Sequence, residues 1–325
     1  MTRYTYLKLK SKVVPKFEPQ PTQEHHIQYL WRSMDSRELK KTSFLIMSDT
    51  HNLELNTSKP GNCPLARKMP KVDVLLHCGD LTQVGGTSAF KNALHLLGSF
   101  DAELKLVIAG NHDLELDGQF WRDNLNMDDG PEEHDRAVEL MTGPLAKAAG
   151  VTYLAEGTHH FTLKNGTSFS IFASPHQPWC GPWAFGYSRE DDHFARANIP
   201  AGVDIMMTHG PPTGCLDSIP DQKKGVGCDS LLNAVQTARP KLHCFGHIHE
   251  GHGHLLKKWE SSSRSDVPKQ VVDVIISQAG VPDQKRQTKK LSVARETLMV
   301  NAAIMRCMDG RNQPVNAPWL VELDL

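Results

Sequence analysis

A chain of 325 residues, 39% hydrophobic and 22% charged, is long enough for one large core or for two domains. A formal net charge of −1 gives no global basic excess for binding nucleic acid or an anionic membrane surface, and no stretch is apolar enough to span a bilayer. Seven scattered cysteines without paired spacing read as reduced thiols of a cytoplasmic protein, not as a disulfide framework.

In chain order, residues 1–41 read as a peripheral extension. No apolar core follows the early basic residues, which argues against a secretory signal. Arg3, Lys8, Lys10, Lys12 and Lys16, all before the first acid at Glu18, describe a solvated tail in preference to a mitochondrial presequence. A short helix is predicted over Glu24–Arg32.

From Ser43 onward apolar runs recur, each closed by Gly, Asp or His: Phe44–Met47, Val72–Leu76, Leu104–Ala109, Val203–Met207 and Leu242–Phe245. Short apolar runs bounded by turn residues predict buried strands. Helix-like stretches at Thr87–Leu97 and Glu132–Ala149 lie between the earlier runs and imply parallel crossovers. His160–Leu163 and Ser168–Ala173 flank Asn165-Gly166 and predict a hairpin. Cys228–Ala238 predicts a helix feeding Leu242–Phe245, and Val271–Ser277, Leu298–Ala303 and Trp319–Leu323 predict further strands. Residues 257–270 and 282–291 are rich in Ser, Pro and charge and read as surface insertions. No internal repeat is visible. The pattern describes one domain over 42–325, with two sheets face to face and helices outside.

The chemistry lies at the ends of the apolar runs. Asp49 and His51 stand two apart in "SDTHN", so an extended backbone aims both the same way. Asp80 follows a glycine in "HCGD", Asn111 and His112 follow one in "GNHD", His209 sits in "THGPP", and His247 and His249 alternate in "GHIH". The C-terminal edge of an open α/β sheet is where such folds place their sites. Carboxylate, imidazole and amide oxygen suit hard-to-borderline ions such as zinc, iron, manganese or nickel. Asp80 can bridge two such ions, and a pair held roughly 3.5–4 Å apart clamps the attacking and leaving oxygens of a phosphoryl displacement. Two divalent ions set against two carboxylates and one bridging hydroxide leave a positive site, and a neutral Asn111 preserves that excess.

The ordered blocks D-x-H, G-D, G-N-H-D, H-G and G-H-x-H resemble the calcineurin-like metallophosphoesterase superfamily. "ASPHQPWCGPWAF", "THGPP" and "VGCDSLLNAVQTARPKLHCFGHIHEGHG" are similar to its metallophosphoesterase-domain-containing subgroup, related to class III cyclic nucleotide phosphodiesterases. The resemblance implies a metallophosphoesterase fold: a four-layer α/β/β/α sandwich of two mixed sheets. It implies two metal ions, divalent or mixed-valence, of manganese, iron or zinc. One would be held by Asp49, His51, Asp80 and His249, the other by Asp80, Asn111, His209 and His247. His112 would not be a ligand; it would face the phosphate and protonate the leaving group or stabilise the transition state. The implied reaction is hydrolysis of small phosphoesters, cyclic nucleotides foremost, with no nucleic acid or membrane partner.

Two other functions fit the same blocks: a non-catalytic or weakly active nucleotide-binding protein, and a phosphoprotein phosphatase. Against the phosphatase, the Ser/Thr phosphatases carry an Asp and an Arg shortly after the G-D block, where this chain has Gln83. In many relatives a carboxylate at that position supports the histidine; the Gln83 amide would orient the ring without stabilising its charge. Asp113 reads as a turn carboxylate. Trp179, Trp183 and Phe185 read first as lid or core packing. His159, His160, His176, His243, His252 and His254 fall outside the pattern and read as solvated loop residues.

Overall fold

A computed structural model describes residues 39–54, 65, 68–125, 130–220, 222, 224–260, 270–281, 286–308 and 311–325. The expected helix over Glu24–Arg32, and residues 261–269 and 282–285 of the two expected insertions, lie outside these. In chain order the strands are β1 (Lys41–Met47), β2 (Val72–His77), β3 (Ala102–Val107), β4 (Val151–Tyr153), β5 (Gly157–Thr162), β6 (Ser168–Ser174), the short β7 (Gln177–Pro178) and β8 (Gly186–Tyr187), and β9 (Ile205–Thr208). They continue as β10 (Leu242–Phe245), β11 (Gly253–Lys258), β12 (Val271–Gln278), β13 (Gln287–Ser292), β14 (Glu296–Asn301), β15 (Met305–Met308), β16 (Arg311–Pro314) and β17 (Trp319–Asp324).

The larger sheet runs β13-β12-β17-β1-β2-β3-β4 and the smaller runs β11-β14-β10-β9-β6-β5. Both are mixed. β1 to β4 are mutually parallel, with β17 antiparallel to β1; β6, β9, β10 and β14 are parallel, with β5 and β11 antiparallel at the two edges. Alternation along each strand explains the continuous apolar runs, because both faces are covered. Leu45, Met47, Leu75 and Val107 face a helical layer through Phe90, Leu94, Leu97 and Met141. Phe172, Met206, Phe245 and Met299 face a second helical layer through Leu231 and Val235. Between the sheets Phe44 of β1 meets Phe169 of β6 edge to face, with ring centroids 6.2 Å apart. The result is the α/β/β/α sandwich of the metallophosphoesterase fold.

The two sheets share a device that the sequence does not show as a repeat. Asp73 Oδ2 accepts hydrogen bonds from Ser43 N and Oγ at 2.8 and 2.6 Å, tying β2 to β1. Asp204 Oδ2 accepts from Ser170 N and Oγ at 2.9 and 3.0 Å, tying the start of β9 to β6.

Several expectations need correction. Glu132–Ala149 is two helices, Glu133–Thr142 and Pro144–Ala149. Gly143 is extended between them, and proline is favoured only in a helix's first turn. The Asn165-Gly166 pair sits in a longer connection, Leu163 to Thr167, where Gly166 takes φ +86°. The stretch read as an insertion over 282–291 becomes strand from Gln287, pairing with β12 at the sheet edge, and Lys257 and Lys258 end β11. His243 is fully buried in β10, and His252 stacks on Trp319 at 5.0 Å, so neither is a solvated loop residue. Among the described residues, no helix is long and apolar enough to cross a membrane.

Candidate metal centre

Five loops leave the C-terminal ends of parallel strands and carry the expected residues to one place: Asp49 and His51 after β1, Asp80 after β2, Asn111 after β3, His209 after β9, and His247 with His249 after β10. The turns are sharp. Asp49, His51, Asp80 and His247 sit at φ +56°, +43°, +54° and +67°, a left-handed region that non-glycine residues enter at a cost. Glycines beside them give the required closeness. A Cβ on Gly110 would lie 2.3 Å from Asp80 Oδ1, and one on Gly246 would lie 2.1 Å from Asp49 Oδ2.

Asp49, His51, Asp80, Asn111 and His209 are buried, while His247 and His249 are partly exposed at the cleft. His51 Nδ1 donates to Thr82 O at 3.1 Å and His209 Nδ1 donates to Cys78 O at 2.9 Å. Each contact fixes the tautomer and leaves Nε2 of the neutral ring as a lone pair. His51 Nε2 then faces His249 Nε2 at 3.2 Å and Asp80 Oδ2 at 3.6 Å. His209 Nε2 faces Asn111 Oδ1 at 2.8 Å and Asp80 Oδ1 at 3.4 Å, and His247 Nδ1 faces the same Asn111 oxygen at 2.8 Å. His249 Nε2 lies 3.4 Å from Asp49 Oδ1. Lone pairs converging on carboxylate and amide oxygens in a buried site fit shared cations.

The electrostatics agree. Burial works against the Asp80 carboxylate, but His209 and His51 outweigh it and hold the group well below the usual carboxylate range. Burial opposes Asp49 too, and the hydrogen bond and charge of His249 bring it down. Burial lowers His209, yet Asp80 and Asp49 lift it to about 9. His247 goes the other way, to about 3, because burial is reinforced by the neighbouring His209. The paired carboxylates demand positive charge: the field that lifts His209 also raises His249 against burial.

His112 stands with His51 and Asp80, their ligand-type atoms within 4.8 Å of one another. Its main-chain N–H donates to Asp80 Oδ1 at 2.9 Å, and its Nδ1 donates to the main-chain carbonyl of Gln83 at 2.6 Å. The ring is therefore oriented by the backbone at position 83, not by the Gln83 amide. Trp183 lies against the other side of the ring, with centroids 4.0 Å apart and planes 34° apart. Asp113 is no simple turn carboxylate. Fully buried, it accepts from Gly110 N and Leu81 N through Oδ2, and from Thr82 N and Oγ1 through Oδ1, all within 2.8–3.2 Å. It clamps the Asp80 loop to the Asn111 loop, a role that its place beside His112 in the sequence did not disclose.

Residues 42–251 match the calcineurin-like phosphoesterase family. The chain belongs to that family. It is similar to metallophosphoesterase domain-containing protein 1 of Homo sapiens, 39% identical over 223 residues that cover 65% of this chain and 62% of that protein. The chain thus spans less than two thirds of the length of that relative. A UPF0046 protein of Caenorhabditis elegans is 33% identical over 222 residues, covering 65% of this chain and 52% of its own. A solved protein of Thermus thermophilus aligns with TM-score 0.40 and 11% identity over 67% of this chain and 85% of its own.

Proposed function

We propose that this chain hydrolyses small phosphodiesters, cyclic nucleotides among them, using two metal ions. Asp49, His51, Asp80 and His249 would hold one ion, and Asp80, Asn111, His209 and His247 the other. When bound, such ions neutralise phosphate oxygens and lower the pKa of a water. The chain's own residues do the rest. Asn111 and the four ligand histidines place the phosphate by placing the ions. His112, with Nδ1–H committed to Gln83 O, has Nε2 as its free nitrogen to carry a proton to the leaving oxygen. Trp183 fixes the plane of that ring.

The observation that carries the diester reading is the cavity beside His247. It measures about 260 Å³ and is lined by Gln177, Trp179, Pro211 and Val226; among the described residues that line it, Arg189 is the one Lys, Arg, Asp or Glu. Arg189 already donates to Gly227 O at 3.0 Å and to Val226 O at 2.6 Å, so it braces the wall. A largely neutral cavity next to the phosphate position suits the uncharged arm of a diester. Among the described residues that line it, the extra charge of a monoester finds no free arginine.

The test is kcat/KM for an aryl phosphodiester and its monoester with manganese supplied, beside elemental analysis of the Asp80→Ala variant. The diester should be preferred, and Asp80→Ala should lose both ions and all turnover. A preference for the monoester, or full metal content in the variant, would overturn the reading. Tight nucleotide binding without turnover would move the protein to the binding class.

A further inference from the structure

Outside that centre, three segments distant in sequence bring a second set of ligand atoms together. Glu156 immediately precedes β5, His176 lies just past the end of β6, and His193 opens the helix His193–Arg196. The pairing of Gly157 with Ala173 sets Glu156 alongside the end of β6, where Ser174 Oγ donates to Glu156 Oε1 at 2.7 Å. The same carboxylate oxygen lies 2.8 Å from His193 Nε2 and 3.5 Å from His176 Nδ1. All three ligand-type atoms lie within 4.8 Å of one another. His176 Nδ1 is closed off from solvent and makes no hydrogen bond.

We propose that Glu156, His176 and His193 form a separate site for a single divalent transition-metal ion of the zinc type. Two imidazole nitrogens and one carboxylate oxygen are an established three-ligand set for zinc, with a further position left to water. At ligand distances of about 2.0–2.1 Å, neighbouring tetrahedral donors stand about 3.4 Å apart, which the 3.5 Å between Glu156 and His176 matches and the 2.8 Å to His193 approaches from below. An ion gives His176 Nδ1 the partner it lacks, beside a Glu156 Oε1 that already serves Ser174 and His193. Burial alone would raise the Glu156 carboxyl, but His176 and His193 hold it well below the usual range, so a carboxylate is on hand at neutral pH.

The position of the site gives it a role. His176 and His193 bracket the segment that carries Trp179 at the cavity and Trp183 against His112. Tyr187 from the same segment stacks on His193, with centroids 4.8 Å apart. An ion there fastens both ends of the segment to the β5–β6 hairpin, and so holds Trp183 over the His112 ring. This is a positioning role; none of the three residues is among those proposed to hold the two ions or to carry the proton.

The experiment is a Co2+ titration of the full chain, followed by visible absorption and by ion count after desalting. The Asp80→Ala chain should retain one equivalent with the absorption of a low-coordinate ion, and adding His193→Gln should abolish it. Circular dichroism establishes that both chains fold. Should Asp80→Ala not fold, the count is made on the otherwise native chain, which should hold three ions against two in His193→Gln. Thermal unfolding supplies a second readout: Zn2+ should raise the Tm of the native chain by more than it raises that of His193→Gln or His176→Gln. The proposal is overturned by a native chain that holds no more than two ions, or by His193→Gln holding as many ions as the native chain.

Discussion

His112 donates Nδ1–H to the main-chain carbonyl of Gln83 across 2.6 Å, so the backbone at position 83 holds the ring and the side chain there does not. Gln83→Ala should therefore leave diester turnover within roughly twofold, the range of substitutions that remove no buried interaction. His112→Ala should lose about 10²–10⁴-fold on an alkoxide leaving group, which needs a proton, and little on an aryl oxide, which does not. Rates for the two leaving groups at one pH decide the matter. Equal losses on both would show that the ring only positions phosphate.

Gly246→Ala tests how tightly the loops must approach. The added Cβ would meet Asp49 Oδ2 and Ser48 Oγ, each at 2.1 Å, and would push the Asp49 carboxylate off its position. Metal affinity should weaken by about 10–100-fold, the usual effect of disturbing the groups that orient a ligand. Competition with a coloured chelator measures this, and an unchanged affinity would show slack between the β1 and β10 loops.

Asp113→Ala should destabilise the metal-free protein by about 3 kcal/mol or more, because it strands the buried N–H groups of Leu81, Thr82 and Gly110. Asp113→Asn keeps one acceptor oxygen and should lose less. Urea unfolding in the presence of chelator gives both values. A loss for Asp113→Ala no larger than that of a surface substitution would remove the clamp from the account.

His243 makes an acid-sensitive contribution in the core. Burial lowers its pKa from 6.5 to about 3, so the folded protein keeps the ring neutral while the unfolded chain protonates it below about 6.5. The unfolded state then binds more protons, and stability falls as pH drops from 6.5 towards 3, by up to about 1.4 kcal/mol per pH unit from this residue alone. His243→Phe should flatten the decline. Urea midpoints between pH 6.5 and 4 compare the two chains, and parallel profiles would contradict the assignment.

The strand cores and the candidate ligands are legible in the sequence because each signal is local. A run such as Val72–Leu76 must be buried on both faces, and a Gly-Asp or Gly-Asn pair at its end marks a turn that puts a polar side chain on the sheet edge. Sequence reasoning assigns His243 and His252 to solvated loops because a histidine's burial depends on what packs over it. The Thr208 hydroxyl lies 2.9 Å from His243 Nε2, and the indole of Trp319 covers His252. Nor could the run over 282–291 disclose that its last residues pair with β12: an exposed edge strand carries few apolar residues to announce it.

By itself the sequence determined the α/β class, the order of the parallel strands' polar ends, and which polar residues stand at those ends, since these follow from apolar runs, glycines and the order of the blocks. Tertiary structure alone decided which atoms meet. It turned position 83 into a carbonyl partner for His112 and Asp113 into the clamp between two loops. It also gathered Glu156, His176 and His193 from three separate segments. The physical reason is range: propensity and periodicity act over a few residues, whereas hydrogen-bond direction, burial and the convergence of charges are set by neighbours that can lie a hundred or more positions away, as His209 and Cys78 do.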